Sequence, residues 1–179
     1  MLRLFVCIWI PEEIRDRIVR FQKDMTNLPI KAKFVEPENI HLTVTFLGNV
    51  DERDAELIKK RLDDSVKNVN KFHVKLEGLK IIPSESYIRV LGINVSGGTN
   101  IKDLIETVGK SIDGSYHETT KLTLCRVKNV VNKSALRDFI ETNRNIKIGE
   151  FQVDNVALVK SVLTKRGPIY ETIHRSFLK

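Results

Sequence analysis

In the stretch NIHLTVTFLG, residues 39–48, His41 and Thr43 stand two apart within a largely apolar run. The stretch TKLTLCRV, residues 120–127, repeats the design with Lys121 and Thr123, so that a lysine stands where a second histidine would complete the match. Side chains alternate across a strand, which puts His41 and Thr43 on one face and Leu42 and Val44 on the other, with Lys121, Thr123, Leu122 and Leu124 arranged alike. Histidine exchanges protons near neutral pH, and threonine hydroxyls donate hydrogen bonds. If both pairs face one cleft, they form an acid–base site with one partner exchanged. Either motif alone reads more plainly as the solvated face of a half-exposed sheet, and it is the duplication that argues for a shared, wet cleft in which the polar groups are satisfied.

The elements that carry these motifs also occur twice. LRLFVCIWI reads as a strand, and Pro11 opens an amphipathic helix, PEEIRDRIVRFQKDM, with Ile14, Ile18, Phe21 and Met25 at helical spacing. A strand is expected from Lys33 to Leu47, with an interruption at EPEN, then a helix over DERDAELIKKRLDDSVKNV and a strand over FHVKLEGLKIIP. The second half begins again with the strand YIRVLGINV, the helix NIKDLIETVGKSI, the strand HETTKLTLCRVKNV, the helix KSALRDFIETN and the strand IGEFQVDNVALVKSVL. A turn at Gly167 and Pro168 leads to a last strand that closes a hairpin. The repeat is long and architectural, so it predicts two similar lobes about an approximate twofold axis, near 1–84 and 85–179, with C-terminal strands able to cross between them. Position 41 then corresponds to position 121.

The 179 residues suit one domain with a real core. With 41% hydrophobic and 30% charged residues and no low-complexity tract, the chain is an ordinary folded protein and disorder is excluded. Its 30 Lys and Arg against 23 Asp and Glu give a formal charge of +7, which suits a phosphate-bearing partner without requiring one. Cys7 and Cys125 lie in apolar strands and read as buried thiols rather than a disulfide, which points to a reducing, cytoplasmic setting. The apolar N-terminal run is too short to span a membrane. Neither a metal-ligand cluster nor a nucleotide-cradling glycine loop is visible, so the expectation is chemistry without a metal or other cofactor, by a monomer that does not engage a membrane.

The segments RLFVCIWIPEEIRD, FVEPENIHLTVTFLGNV, YIRVLGINV, KLTLCRVK and KSVLTKRGPIYE, in this order and at these separations, resemble the two-histidine phosphoesterases, and within them the RNA 2′,3′-cyclic phosphodiesterases also called 2′-5′ RNA ligases. The signature of that family is His, any residue, Thr or Ser, then an apolar residue, once per lobe. HLTV matches it completely, and KLTL lacks the histidine. The resemblance implies an α+β fold of two pseudo-twofold-related lobes, with antiparallel sheets flanking a central cleft and helices outside. It also implies a substrate: RNA bearing a 2′,3′-cyclic phosphate end, or a small cyclic nucleotide.

Opening such a phosphate requires a base for the attacking water, an acid for the leaving ribose oxygen and donors for the non-bridging oxygens. The resemblance assigns His41 and Lys121 to proton transfer, and Thr43, Thr123 and Arg126 to the phosphate. An ordinary lysine is a poor base at neutral pH, its pKa being about 10.4, so Lys121 is left the part of acid or phosphate clamp, with His41 as base. With an RNA 5′-hydroxyl replacing water, the same site would form a 2′-5′ linkage. A binding protein that recognises RNA ends without turning them over remains the alternative. His117 lies four residues from Lys121, about 13 Å along a strand, too far to replace it without a bulge or bend. His73 and His174 read as surface or interlobe residues. Phe34 and Tyr170 are candidates to stack on unpaired bases, whereas Phe5 and Trp9 read more readily as core.

Overall fold

A computed structural model describes residues 1–114 and 121–179. The strands are β1 (Leu2–Trp9), β2 (Ile30–Phe34), β3 (His41–Val50), β4 (Phe72–Ser84), β5 (Tyr87–Ser96), β6 (Lys121–Val130), β7 (Lys147–Val153), β8 (Asn155–Leu163) and β9 (Pro168–Phe177). The helices are α1 (Glu12–Met25), α2 (Ala55–Val66), α3 (Gly98–Ser111) and α4 (Lys133–Asn143). All pairings are antiparallel, within a four-stranded sheet ordered β3-β1-β8-β9 and a five-stranded sheet ordered β2-β6-β5-β4-β7. The expected α+β architecture of two antiparallel sheets is therefore present.

The division of the chain differs from a simple cut near residue 84. That boundary falls between β4 and β5, which are neighbours in one sheet. β2 and β4 from the first half lie in the five-stranded sheet, whereas β8 and β9 from the second half lie in the four-stranded one. Omitting β2, the orders β3-β1-β8-β9 and β6-β5-β4-β7 correspond strand by strand. Each half thus sends strands across to complete the other sheet, which binds the two lobes into one unit. The interruption expected at EPEN is present, and one stretch expected as a single strand also divides. The Lys33–Leu47 stretch breaks at a 3-10 turn, Pro37–Asn39, into β2 and β3, and the stretch from Ile148 to Leu163 breaks at Asp154 into β7 and β8, each pair split between the sheets.

α1 follows Pro11, whose carbonyl accepts from the Arg15 amide at 2.9 Å, and Glu12 and Glu13 complement the positive end of the helix dipole. Ile14, Ile18, Phe21 and Met25 form its buried stripe. Burial of each such side chain contributes about 1.5–3 kcal/mol. Leu4, Val6 and Ile8 of β1 join this large helix-covered core. From the opposite face of the same strand Phe5 and Cys7 join a separate small cluster with Ala157 and Val159, against which Trp9 and Tyr170 pack. β1 thus separates the main core from a second apolar surface, and His41 stands on that second side.

Candidate active site

β3 and β6 lie beside one another, although they belong to different sheets. Their ladders repeat each other. On β3, His41 pairs with Trp9, Thr43 with Cys7 and Thr45 with Val6, leaving Val44 as an extra residue. On β6, Lys121 pairs with Asn94, Thr123 with Gly92 and Cys125 with Leu91, leaving Leu124 as the extra residue. A bulge therefore follows each motif threonine at the same place. Its effect is visible in the burial: Val44 and Thr45 are both buried, as are Leu124 and Cys125, before exposure returns at Phe46 and Arg126. Strict alternation from Lys121 would put Arg126 on the core side. The bulge turns it to the face of Lys121 and Thr123.

His41 is held at both ring nitrogens. Its Nδ1 lies 2.6 Å from the Asn39 carbonyl oxygen, which can only accept, so Nδ1 carries the proton. In the neutral ring Nε2 then presents its lone pair, and the Thr43 hydroxyl donates to it at 3.1 Å. The ring sits among Phe5 at 5.2 Å, Trp9 at 5.8 Å and Tyr170 at 5.5 Å between centroids. Desolvation by these neighbours lowers the histidine pKa, against the opposing effect of the Asn39 carbonyl, and so favours the neutral ring. Trp9 is fixed in turn by donation from Nε1 to the Thr172 hydroxyl at 3.0 Å.

Tyr170 of β9 packs edge-on against both His41 and Phe5. Burial raises the pKa of its phenol, and the charges of Glu36 and Cys7 add to this while those of Arg126 and Arg3 oppose it. Arg126 of the five-stranded sheet thus acts electrostatically on a residue that touches His41. Gln22 of α1 braces the second motif: its buried amide donates to the carbonyls of Leu124 and Val35 at 3.0 Å each.

The structure accordingly gathers His41, Thr43 and Tyr170 directly, and places Lys121, Thr123 and Arg126 on one face of the adjacent strand. Phe34 is half-buried and packs against the main core opposite Cys125. Phe5 is buried as expected of a core residue, but in the small cluster beneath His41, and Trp9 is a wall of the site. Phe46 was not anticipated. It is 52% exposed, its ring lies 6.2 Å from Phe5, and it holds the position equivalent to Arg126. An offset of three from each motif threonine was the available signal. His174 bonds Asp63 at 2.8 Å between β9 and α2, and His73 is exposed on β4. His117 lies outside the described residues. Cys7 and Cys125 are free buried thiols.

A phosphoesterase class is indicated by this duplicated fold and its polar pairs, and comparison with known proteins agrees. Residues 8–92 match the family described as LigT like phosphoesterase. The RNA 2′,3′-cyclic phosphodiesterase of Methanocaldococcus jannaschii is 36% identical, covering 96% of this chain and 98% of that protein. The protein of the same name from Aquifex aeolicus is 34% identical, covering 99% and 98%. Among solved structures, TT0787 of Thermus thermophilus superposes with a TM-score of 0.79 at 23% identity over 99% of this chain and 98% of that one. Escherichia coli LigT complexed with 3′-AMP superposes at 0.77 and 19% identity, over 99% and 98%. The chain belongs to the LigT-like phosphoesterases of the two-histidine superfamily.

Proposed function

We propose that this protein hydrolyses 2′,3′-cyclic phosphate ends of RNA, or a small cyclic nucleotide, to 2′-phosphomonoesters by proton transfer between side chains. The observation that carries this reading is the doubly held His41. Its Nδ1–H is committed to Asn39, its Nε2 lone pair faces the Thr43 hydroxyl, and its apolar surroundings keep it neutral. The curated relatives named RNA 2′,3′-cyclic phosphodiesterase support the substrate class.

In this mechanism Nε2 takes a proton from water as the water oxygen bonds to phosphorus. The bond from phosphorus to the 3′ oxygen breaks, and that oxygen receives its proton from the Lys121 ammonium. When substrate binds, the Thr43 hydroxyl turns its one proton from Nε2 to a non-bridging oxygen, which frees the Nε2 lone pair for water, and Thr123 and Arg126 donate to the same oxygens, where negative charge accumulates. With a ribose 5′-hydroxyl in place of water, the same opening joins two RNA ends through a 2′-5′ linkage.

Lys121 favours a second reading, a protein that binds such ends with little turnover, because a well-matched acid or base is worth about 100- to 10,000-fold in rate. Incubation of a 2′,3′-cyclic nucleotide and a cyclic-phosphate oligonucleotide with the protein in excess chelator, with resolution of the product isomers, separates the two. A 2′-phosphate that appears with the wild type and not with His41→Ala supports the enzyme. Unchanged substrate, bound equally by both proteins, supports the binder. Activity lost in chelator and restored by zinc or manganese would refute the side-chain mechanism.

A further inference from the structure

We propose that the open face of the five-stranded sheet is a rail for the sugar–phosphate backbone of single-stranded RNA, leading away from the phosphate held by His41 and Lys121. The preferred substrate is then an RNA end several nucleotides long rather than a cyclic mononucleotide. The inference rests on the phosphodiesterase reading and deepens it.

β2, β6 and β5 together carry Lys31, Lys33, Arg89, Lys121, Arg126 and Lys128 and contain no aspartate or glutamate. The register aligns several of these cations. Lys33 pairs with Arg126 and Lys31 with Asn129, and the bulge between those pairs leaves Lys128 beside them. Ala32 and Val127, paired between them, turn to the core side, where both pack against the main apolar cluster. Lys31, Lys33, Arg126 and Lys128 are all exposed on the other side. Further along, Lys80 and Thr123 flank Gly92, which has no side chain to separate them. Cations two residues apart on one strand face are about 6.6 Å apart, comparable with the step between successive phosphates of an extended strand.

The rail is continuous with the site. β6, which carries Arg126 and Lys128, also carries Lys121 and Thr123 and lies beside the β3 strand of His41. At the turn between β8 and β9, a Cβ on Gly167 would lie 3.3 Å from the Lys33 ammonium, which brings Lys165 and Arg166 of that turn to the same edge. Lys33 also approaches Glu36 at 4.0 Å, an exposed pair that a phosphate can readily exchange.

Lysines on β2 could serve simply to keep an edge strand from pairing with other chains. That does not account for Arg126 and Lys128, because β6 is interior, between β2 and β5. The site face of the other sheet has a different character, with Phe5, Trp9, Phe46 and Tyr170 around His41. An aromatic face for the terminal nucleoside beside a cationic face for the backbone is the division that single-strand recognition uses.

The test compares a 2′,3′-cyclic mononucleotide with a hexanucleotide ending in the same cyclic phosphate. Wild-type protein is expected to favour the hexanucleotide in kcat/KM by about tenfold or more, with log KM for the hexanucleotide rising with log salt at a slope near 2 for about three phosphate contacts. The triple variant Lys31→Gln, Lys33→Gln, Lys128→Gln should lose that preference and flatten the slope, while mononucleotide kinetics stay unchanged. An equal change of net charge placed elsewhere, Lys23→Gln, Lys60→Gln, Lys67→Gln, should leave the preference intact. Equal use of both substrates by the wild type, or equal effects of the two triple variants, would overturn the rail. If the wild type turns over neither substrate, the phosphodiesterase reading fails instead. Anisotropy of a labelled hexanucleotide ending in 3′-phosphate then decides the rail separately: weakened binding only in the first triple variant supports it, and equal binding by all three proteins refutes it.

Discussion

His41 stands opposite Trp9 in the β1–β3 ladder, its ring inclined at 69° to the indole with centroids 5.8 Å apart. Trp9 cannot swing away freely while its Nε1–H is bonded to Thr172. The pair supports the base role proposed for His41: one side of the ring is closed by aromatic rings, and the proton is fixed on the far nitrogen.

Turnover should therefore keep its neutral His41 below the ordinary histidine pKa of about 6.5. As pH falls, activity should decline on a limb centred below that value, and Trp9→Ala, which readmits water, should move the limb up toward it. A pH series of kcat/KM with a cyclic nucleotide measures both. Linkage gives the matching sign for stability. The unfolded chain takes up the proton first, so stability is lost as pH falls from about 6.5 through the lower folded value. His41→Asn should lack that slope in a urea-midpoint series.

Lys121→His would restore two imidazoles related by the repeated β3 and β6 ladders. Turnover of a 2′,3′-cyclic phosphate should rise by about 100-fold or more, with substrate binding changed much less. The pH profile should become bell-shaped, since one ring must be neutral while the other is protonated. A folded variant with an unchanged rate and profile would remove position 121 from proton transfer.

Gln22 is a buried amide that reaches from α1 to the Leu124 carbonyl at the bulge after Thr123. Gln22→Leu should destabilise the protein by about 1–3 kcal/mol, because the Val35 carbonyl loses this donor. It should also lower turnover by loosening Thr123, although Gln22 touches no substrate. Urea denaturation and steady-state kinetics on one preparation would read both effects, and a loss of stability with undiminished kcat would show that the bulge holds without this brace.

The helices were legible because their apolar spacing is strong: KSALRDFIETN predicts α4 to the residue, and Ile14, Ile18, Phe21 and Met25 mark the buried face of α1. The motif strands were legible for the same reason at period two. Crossing was expected of the C-terminal strands alone; the place of β2 beside β6 was not legible, because which sheet a strand joins depends on partners distant in sequence. Bulges were equally silent. Nothing in TLCRV announces that Leu124 is an extra residue, yet this one residue decides which face Arg126 occupies. Phe34 shows a related limit: its chemistry suits base stacking, but how far its place in β2 draws it against the core could not be read from its neighbours in sequence.

Gly92 offers a test of how closely β5 must approach the second motif. It pairs with Thr123, and a Cβ added there would lie 2.5 Å from the Leu122 carbonyl oxygen and 3.6 Å from the Thr123 Cα. These are backbone atoms and cannot rotate aside, so Gly92→Ala must push β6 away from β5, carrying Lys121 and Thr123 with it. Overpacking of this kind costs about 1–3 kcal/mol, and the thermal midpoint should fall accordingly. Because the displaced groups are those assigned to the phosphate and the leaving oxygen, kcat should fall as well, while the acidic limb of the pH profile, set by His41 on the other sheet, should stay where it is. Ser96→Ala, at the exposed end of the same strand, should change neither quantity. If Gly92→Ala moved the acidic limb while leaving kcat intact, β6 would not carry the group that assists the leaving oxygen.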